Sequence, residues 1–320
     1  MAKKPFASSA DLGEKVETLE VLAEGVYALT AEGDPNVGAI EGEDFLVAIE
    51  ARATPSAARD WLKMLREHTD KPVKYLVLTH YHAVRVLGAS AFDAENIITS
   101  DVTRTLIDER GMQDWASEFG RMPRLFREPD EIPGLTHPTI TFSDRLEIPL
   151  GGDRGDLVLQ FCGRGHTAGD IVAWLPQQKI LFTGDLVEAQ AALYTGDASH
   201  FDWSSTTLDN LKALGAEQLV GGRGAIARGR EEVDAAIEQT RGFLLDMIEI
   251  VSEVHGNKGT LKEAFEKTHA HLSPKFGAWP IFEHCLPFDV QRLWDELDGI
   301  DWGRIWTAER DQEVWDQLQD

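Results

Sequence analysis

The chain has 320 residues, 42% of them hydrophobic, and a formal net charge of −24. Such a length holds one large domain, or a domain of about 200 residues with an appendage. The apolar share speaks against a disordered chain, and the acidic balance excludes nucleic acid and anionic membrane as partners. Only Cys162 and Cys285 occur, so a disulfide framework is not expected. The N-terminus has no apolar signal segment, and no window approaches the roughly 18 apolar residues of a spanning helix. A cytoplasmic protein is the expectation.

Residues 1–20 read as a polar lead-in, after which "GVYALTA" and "DFLVAIEA" read as strands. "TPSAARDWLKMLREHT" reads as a helix, with Thr54 at the cap and Pro55 at the first helical place. Ala58, Trp61, Leu62 and Leu65 recur in it at helical spacing. "VKYLVLTH" is a buried strand that delivers His80 and His82 to its C-terminal end. "NIITSDVTRTLIDERG" reads as a strand followed by a helix capped by Ser100 and closed by Gly111. "PTITFSDRLEIPLGG", "DLVLQFCGRGH", "DIVAWLPQQKILFTGD" and "QLVGGRG" add strands, most ending in glycine-rich loops. Cys162 is expected to be a buried strand residue.

Strands in this number, mixed with helices, predict an α/β fold of two sheets with helices outside. Past residue 226 the pattern turns helical: Val233, Ile237, Phe243, Leu244, Met247, Ile248, Val251 and Val254 recur at three- and four-residue steps. "TLKE" at Thr260–Glu263 is a capping box, and "FDVQRLWDEL" and "TAERDQEVWDQL" read as two further helices. The expected division is a lead-in over 1–20, an α/β domain over 21–240 and a helical extension over 241–320. Trp279, Trp294, Trp302, Trp306 and Trp315 crowd that extension. It is expected to cover the sandwich or to join two copies as a homodimer.

Chemistry concentrates in four stretches, each at the C-terminal end of a predicted strand. They are "THYH" (His80, His82), "GRGHTAGD" (His166), "FTGD" (Asp185) and "GGRG" (Arg223). Histidines at i and i+2 of an extended segment share a face, and a third from a neighbouring loop completes three nitrogen ligands. Three protein ligands plus a water is the usual catalytic zinc arrangement, and the ion draws the water's pKa towards ~7. His269, His271 and His284 lie in the helical tail and read as surface or core histidines. In "YTGDASHFDW", Asp197, His200 and Asp202 either border the site or belong to a solvated loop.

These stretches resemble the metallo-β-lactamase superfamily, in its glyoxalase II-like hydrolase branch. Its signature is H-x-H-x-D-H, then a G-H-T histidine, a G-D aspartate and a final histidine, matched in order over about residues 21–226. The resemblance implies an αββα sandwich with the site along one edge, extended here by C-terminal helices. It assigns His80, His82 and His166 to one metal and Asp185 to the bridging aspartate. The D-H pair is Val84-Arg85 here, and the last histidine falls on Arg223. Every ligand unique to a second metal is therefore replaced, two of the three by arginine, which stays protonated.

The expectation is a hydrolase with one Zn²⁺ per chain and a small-molecule, anionic substrate. Asp185 either ligates that metal or pairs with Arg85 or Arg223, and the arginine it leaves free would hold the substrate's anionic group. Two alternatives stand beside it. Persulfide dioxygenases of the superfamily hold a single Fe²⁺ by two histidines and an aspartate, which His80, His166 and Asp185 would match. A non-catalytic member would bind a small anion or a partner protein.

Overall fold

The computed structural model describes residues 4–319. Its first half runs β1 (Thr18–Ala23), β2 (Val26–Ala31), β3 (Asp34–Glu41), β4 (Leu46–Ile49), α1 (Pro55–Leu65), β5 (Val73–Val77), α2 (Ala83–Val86), β6 (Asn96–Ser100), α3 (Asp101–Arg121), β7 (Ile140–Phe142) and β8 (Arg145–Pro149). There follow β9 (Asp156–Phe161), β10 (Ile171–Leu175), β11 (Ile180–Gly184), α4 (His200–Asp202), α5 (Leu208–Ala213), β12 (Gln218–Gly221) and β13 (Ala227–Arg228). Four helices close the chain: α6 (Arg230–Gly256), α7 (Leu261–Phe276), α8 (Phe282–Leu297) and α9 (Ala308–Gln319).

Strands β1 to β7 pair in sequence order, antiparallel as far as β4 and parallel beyond it. The second sheet runs β13-β12-β11-β10-β9-β8, with β11 parallel to β12 and the other neighbours antiparallel. Alternation of side chains explains the layers. Leu157 and Leu159 of β9 join Val26, Ala28, Val47 and Ile49 in the core between the sheets. Val158, between them, turns the other way, into a core shared with α6 to α9. On the far side, Tyr27 and Leu29 pack with Trp61 and Leu65 of α1. The result is a four-layer αββα sandwich. Among the described residues no helix is long and apolar enough to cross a membrane.

The local signals act as read at α1, where Thr54 accepts from the Ala57 N–H, and at α7, where Thr260 accepts from Glu263. The strand β3, "DPNVGAIE", escaped the reading, because Asp34, Pro35, Asn36 and Gly38 are poor strand formers. Ser100 caps α3 as expected, but Gly111 does not end it; the helix continues for ten more residues, to Arg121. A Cβ at Gly111 would meet Leu135 at 3.1 Å, so the small residue serves a close packing contact there rather than a stop. Cys162 is buried, one residue beyond the end of β9. Residue 240 lies inside α6, whose buried face continues unbroken through Thr240.

The C-terminal helices lie over the second sheet and over the site edge. Phe243, Phe282 and Phe288 are each no more than 1% exposed, and burying a side chain of that kind stabilises by about 1.5–3 kcal/mol. Trp306 and Trp315 sit in the same core, whereas Trp302 is exposed.

Candidate metal centre

The site forms where strand ends of the two sheets meet. His80 and His82 lie in the turn between β5 and α2, His166 in the loop from β9 to β10, and Asp185 directly after β11. Close approach needs glycine at two points. Gly184 has φ +53°, and a Cβ there would stand 2.3 Å from Thr79 Oγ1. A Cβ on Gly222 would stand 1.9 Å from Asp185 Oδ1.

The structure brings His80, His82, His166 and Asp185 together, one ligand atom of each lying within 4.8 Å of the others. None is more than 4% exposed. Asp185 Oδ2 lies 3.7 Å from His80 Nε2 and 3.8 Å from His166 Nε2. Both imidazole nitrogens are buried without a hydrogen-bond partner. The nitrogens that face away are held. His80 Nδ1 is 2.9 Å from Thr79 Oγ1, which itself donates to Glu50. His82 Nε2 is 3.2 Å from Asp197 Oδ2, and His166 Nδ1 is 3.4 Å from Asp170 Oδ1. These partners assign the outward nitrogens as N–H donors, so Nε2 of His80 and of His166 and Nδ1 of His82 carry lone pairs. Outer partners that fix ring orientation in this way accompany metal-ligating histidines.

The electrostatics agree. Burial drives the His80 pKa well below the usual histidine value, which keeps the ring neutral. Burial opposes charge on His166 too, but the Asp170 hydrogen bond and Asp185 outweigh it and raise that pKa. Asp185 stays ionised: against the cost of burial, Arg85, then His80, His166 and Arg223, hold its pKa far below the usual carboxylate range. Three nitrogens and one carboxylate oxygen form a donor set that suits a divalent ion of zinc type.

Beside this group stand the substituted positions. Arg85 is fully buried and bonds Asp185 Oδ1; its Nη1 donates to Asn36 O at 3.1 Å and its Nη2 to Gly222 O at 2.8 Å. The expected ion pair between Asp185 and Arg85 is therefore present. Arg223 lines the same pocket as Asp185. Its Nη1 donates to Gly33 O at 3.2 Å, and its Nε lies 3.4 Å from Glu188 Oε1. Burial, reinforced by Asp185, raises the Glu188 pKa to about 8 despite the two arginines. Arg223 thus has a carboxyl partner of its own, which "GDLVEA" gave no reason to foresee.

Sequence reasoning also missed the side chains that anchor the histidine turn. Asp114 Oδ2 accepts the Ala83 N–H and Glu118 Oε2 accepts the Val84 N–H, both at 2.7 Å. With Arg121 these residues form a stripe at i, i+4 and i+7 of α3. That spacing was the available signal, hidden because the stripe is polar. The segment at 194–203 is mostly buried rather than solvated. Of its three candidates, Asp197 reaches the histidines. His200 instead bonds Glu296 and Thr195, and Asp202 pairs with Arg164. His269 and His271 pair with Glu283 and Asp246, whereas His284 is buried and lines the site. A narrow pocket of about 10 Å³ over the metal-ligand group is lined by His82, Asp185, Tyr194 and Arg223, by Glu118, Arg121 and Met122 at the end of α3, and by Ile281, His284 and Cys285 from the C-terminal region.

A sequence profile of the metallo-β-lactamase superfamily matches residues 31–223. A linear primary-alkylsulfatase from Pseudomonas sp. is 26% identical over 235 residues, 63% of this chain and 44% of that protein. The 2,4-dinitroanisole O-demethylase subunit alpha of Nocardioides sp. is 26% identical over 62% of this chain and 55% of its own. The chain thus spans about half the length of these curated relatives. Among solved structures, a variant of the sec-alkyl sulfatase PisA1 superposes with TM-score 0.66 at 17% identity, over 79% of this chain and 45% of that one. A metallo-β-lactamase from Pontibacter korlensis superposes with TM-score 0.56 at 22% identity, over 72% of this chain and 99% of that one. At these identities the two structures speak to the fold alone. None of these relatives bears on the glyoxalase II-like branch.

Proposed function

The chain belongs to the metallo-β-lactamase superfamily, and from that premise we propose that it is a hydrolase working with one zinc ion on a small anionic ester. The carrying observation is the pair of buried, unpartnered imidazole nitrogens of His80 and His166 aimed at Asp185 Oδ2. Buried polar atoms left without partners are costly and rare, and a divalent ion is the group that three imidazoles and a carboxylate satisfy together. Such an ion supplies Lewis-acid activation of a water, whose pKa falls towards ~7.

The chain's own residues do the rest. His80, His82 and His166 hold the ion, and Thr79, Asp197 and Asp170 fix their rings. Asp185, held ionised, presents Oδ2 to the same point, where it would ligate the ion or orient a water by accepting a hydrogen bond from it. Arg85 clamps Oδ1 and places a fixed positive charge where the second ion of two-metal relatives needs that oxygen. Residues of α8 and the segment before it shut bulk water out of the pocket. A sulfate ester is the first substrate class to assay, because an alkylsulfatase stands among the relatives.

Element analysis of protein purified without chelator, with 4-nitrophenyl sulfate and 4-nitrophenyl acetate as substrates, tests the reading. About one zinc per chain and turnover that disappears with the metal in His82→Ala support it. One iron per chain points to the dioxygenase chemistry of His80, His166 and Asp185. An empty site in fresh protein, or two ions bound reproducibly, overturns it.

A further inference from the structure

Most buried arginines near the site are bonded to the protein. Arg85 and Arg223 have the partners given above, and Arg292 donates to three backbone carbonyls, those of Ala198, Ile300 and Asp301. Arg121 is the exception. It is 2% exposed, yet Nε, Nη1 and Nη2 all lack a hydrogen-bond partner. Its nearest carboxylate, Asp311, lies 3.6 Å from Nε and is bonded to Ser117. The guanidinium carbon stands 4.8 Å from the Tyr194 ring centroid and 5.1 Å from that of Phe288. The Tyr194 hydroxyl is likewise buried and unpartnered. Both residues line the pocket that His82 and Asp185 also line.

Five N–H donors and a phenol hydroxyl lie desolvated beside the metal-ligand group without a well-formed hydrogen bond, although the carboxylates of Asp311, Glu118 and Asp114 stand round the guanidinium and balance its charge. The aromatic faces hold the guanidinium in place without using those donors. We propose that Arg121 and Tyr194 form the subsite for the anionic oxygen group of the substrate, a carboxylate, sulfonate or sulfate head, which the pocket of about 10 Å³ must widen to admit. This moves the role expected for Arg223 onto a residue of α3. A planar fork meeting two oxygens suits such heads, and a lysine would not reproduce it. The inference rests on the hydrolytic reading only for calling the occupant a substrate; anion binding itself is measured without turnover.

The test is calorimetric titration of the purified full-length protein with methanesulfonate, at ionic strength held constant with chloride. Saturable binding at one site per chain is expected. Tyr194→Phe keeps the ring against the guanidinium and removes the hydroxyl, so it is expected to weaken binding about tenfold. Arg121→Met is expected to abolish binding, and Arg121→Lys to leave it at least tenfold weaker. In turnover of 4-nitrophenyl sulfate, methanesulfonate should compete, and Arg121→Lys should raise KM by a larger factor than it lowers kcat. Absence of saturable binding in the unmodified protein overturns the proposal, as does equal binding by folded Arg121→Met and Tyr194→Phe. Competition that is not competitive also overturns it, because the anion then sits elsewhere. Saturable binding in a protein that holds no metal and turns nothing over fails the hydrolytic reading while leaving the anion subsite standing.

Discussion

Around one small pocket, the strand-end loops present histidines whose outward nitrogens are bonded to Thr79, Asp197 and Asp170. Helix α3, by contrast, presents Arg121 under the C-terminal helices with no nitrogen bonded at all. The floor is thus pre-set by the protein, whereas α3, beneath the roof of C-terminal helices, carries a guanidinium that makes no hydrogen bond. Arg85 and Arg121 make the contrast sharp: both are buried to within 2%, one making three hydrogen bonds and the other none. The difference teaches that burial of charge here serves two ends, holding a ligand group still and waiting for a ligand.

The largest effect is expected from removing the roof. Deleting residues 257–320 strips α7 to α9 and bares Phe243, Leu244, Met247 and Val251 on α6, a face too apolar to remain in water. Size-exclusion chromatography should show aggregation or loss of soluble protein. A soluble truncated chain with native circular dichroism would mean that the floor stands alone and the contrast is only descriptive.

Next in size, Arg85→Met leaves Asp185 as a buried unpaired charge, a loss of about 3–5 kcal/mol in unfolding free energy. The same change at Arg121 breaks no hydrogen bond but removes the 3.6 Å ion pair with Asp311, and is expected to cost less in urea denaturation. Equal costs would erase the distinction between saturated and waiting arginines. Smaller again, Asp197→Asn weakens the hold on His82 Nε2. A 10- to 100-fold loss of metal affinity is expected, read by competition with a chromophoric chelator, with little change in fold stability.

The smallest effect concerns His284 in the roof. Burial, with Arg121 and Arg223 facing it, drives its pKa well below the usual value, and its Nδ1 lies 2.9 Å from Ser8 Oγ. The folded chain thus binds the proton less readily than the unfolded chain. This group's stabilisation is complete above about pH 6.5 and is lost as pH falls towards the folded pKa. The loss runs at up to about 1.4 kcal/mol per pH unit. His284→Gln removes that dependence. The stability gap between the native chain and the variant should therefore shrink between pH 6.5 and 5.5, and a gap independent of pH contradicts the placement.

The floor was legible because its chemistry is local. "THYH" and "GRGHTAGD" put ligand-type residues at strand ends, and a strand end followed by glycine is readable from composition. The ion pair of Arg85 with Asp185 was one of the pairings that charge allowed, with Arg223 and a metal as the other partners. What stayed hidden depends on distant contacts or on polar burial. Asp114, Glu118 and Arg121 break the apolar periodicity by which buried helix faces are found, and Gly111 imitates a helix end while serving Leu135. The partnership of Glu188 with Arg223 joins residues 35 apart in a geometry no spacing announces. Tryptophan positions in the tail indicated packing but not that Ile281 and Cys285 would come to rest at the site.

Ile281 holds φ +59°, unusual for a β-branched side chain, in the segment that closes the pocket. Whatever occupies the floor is therefore sealed in by covalently later chain. Synthesis from the N-terminus completes the four ligand residues before residues 281–319 exist. The metal-ligand residues thus all precede in sequence the segment that covers them.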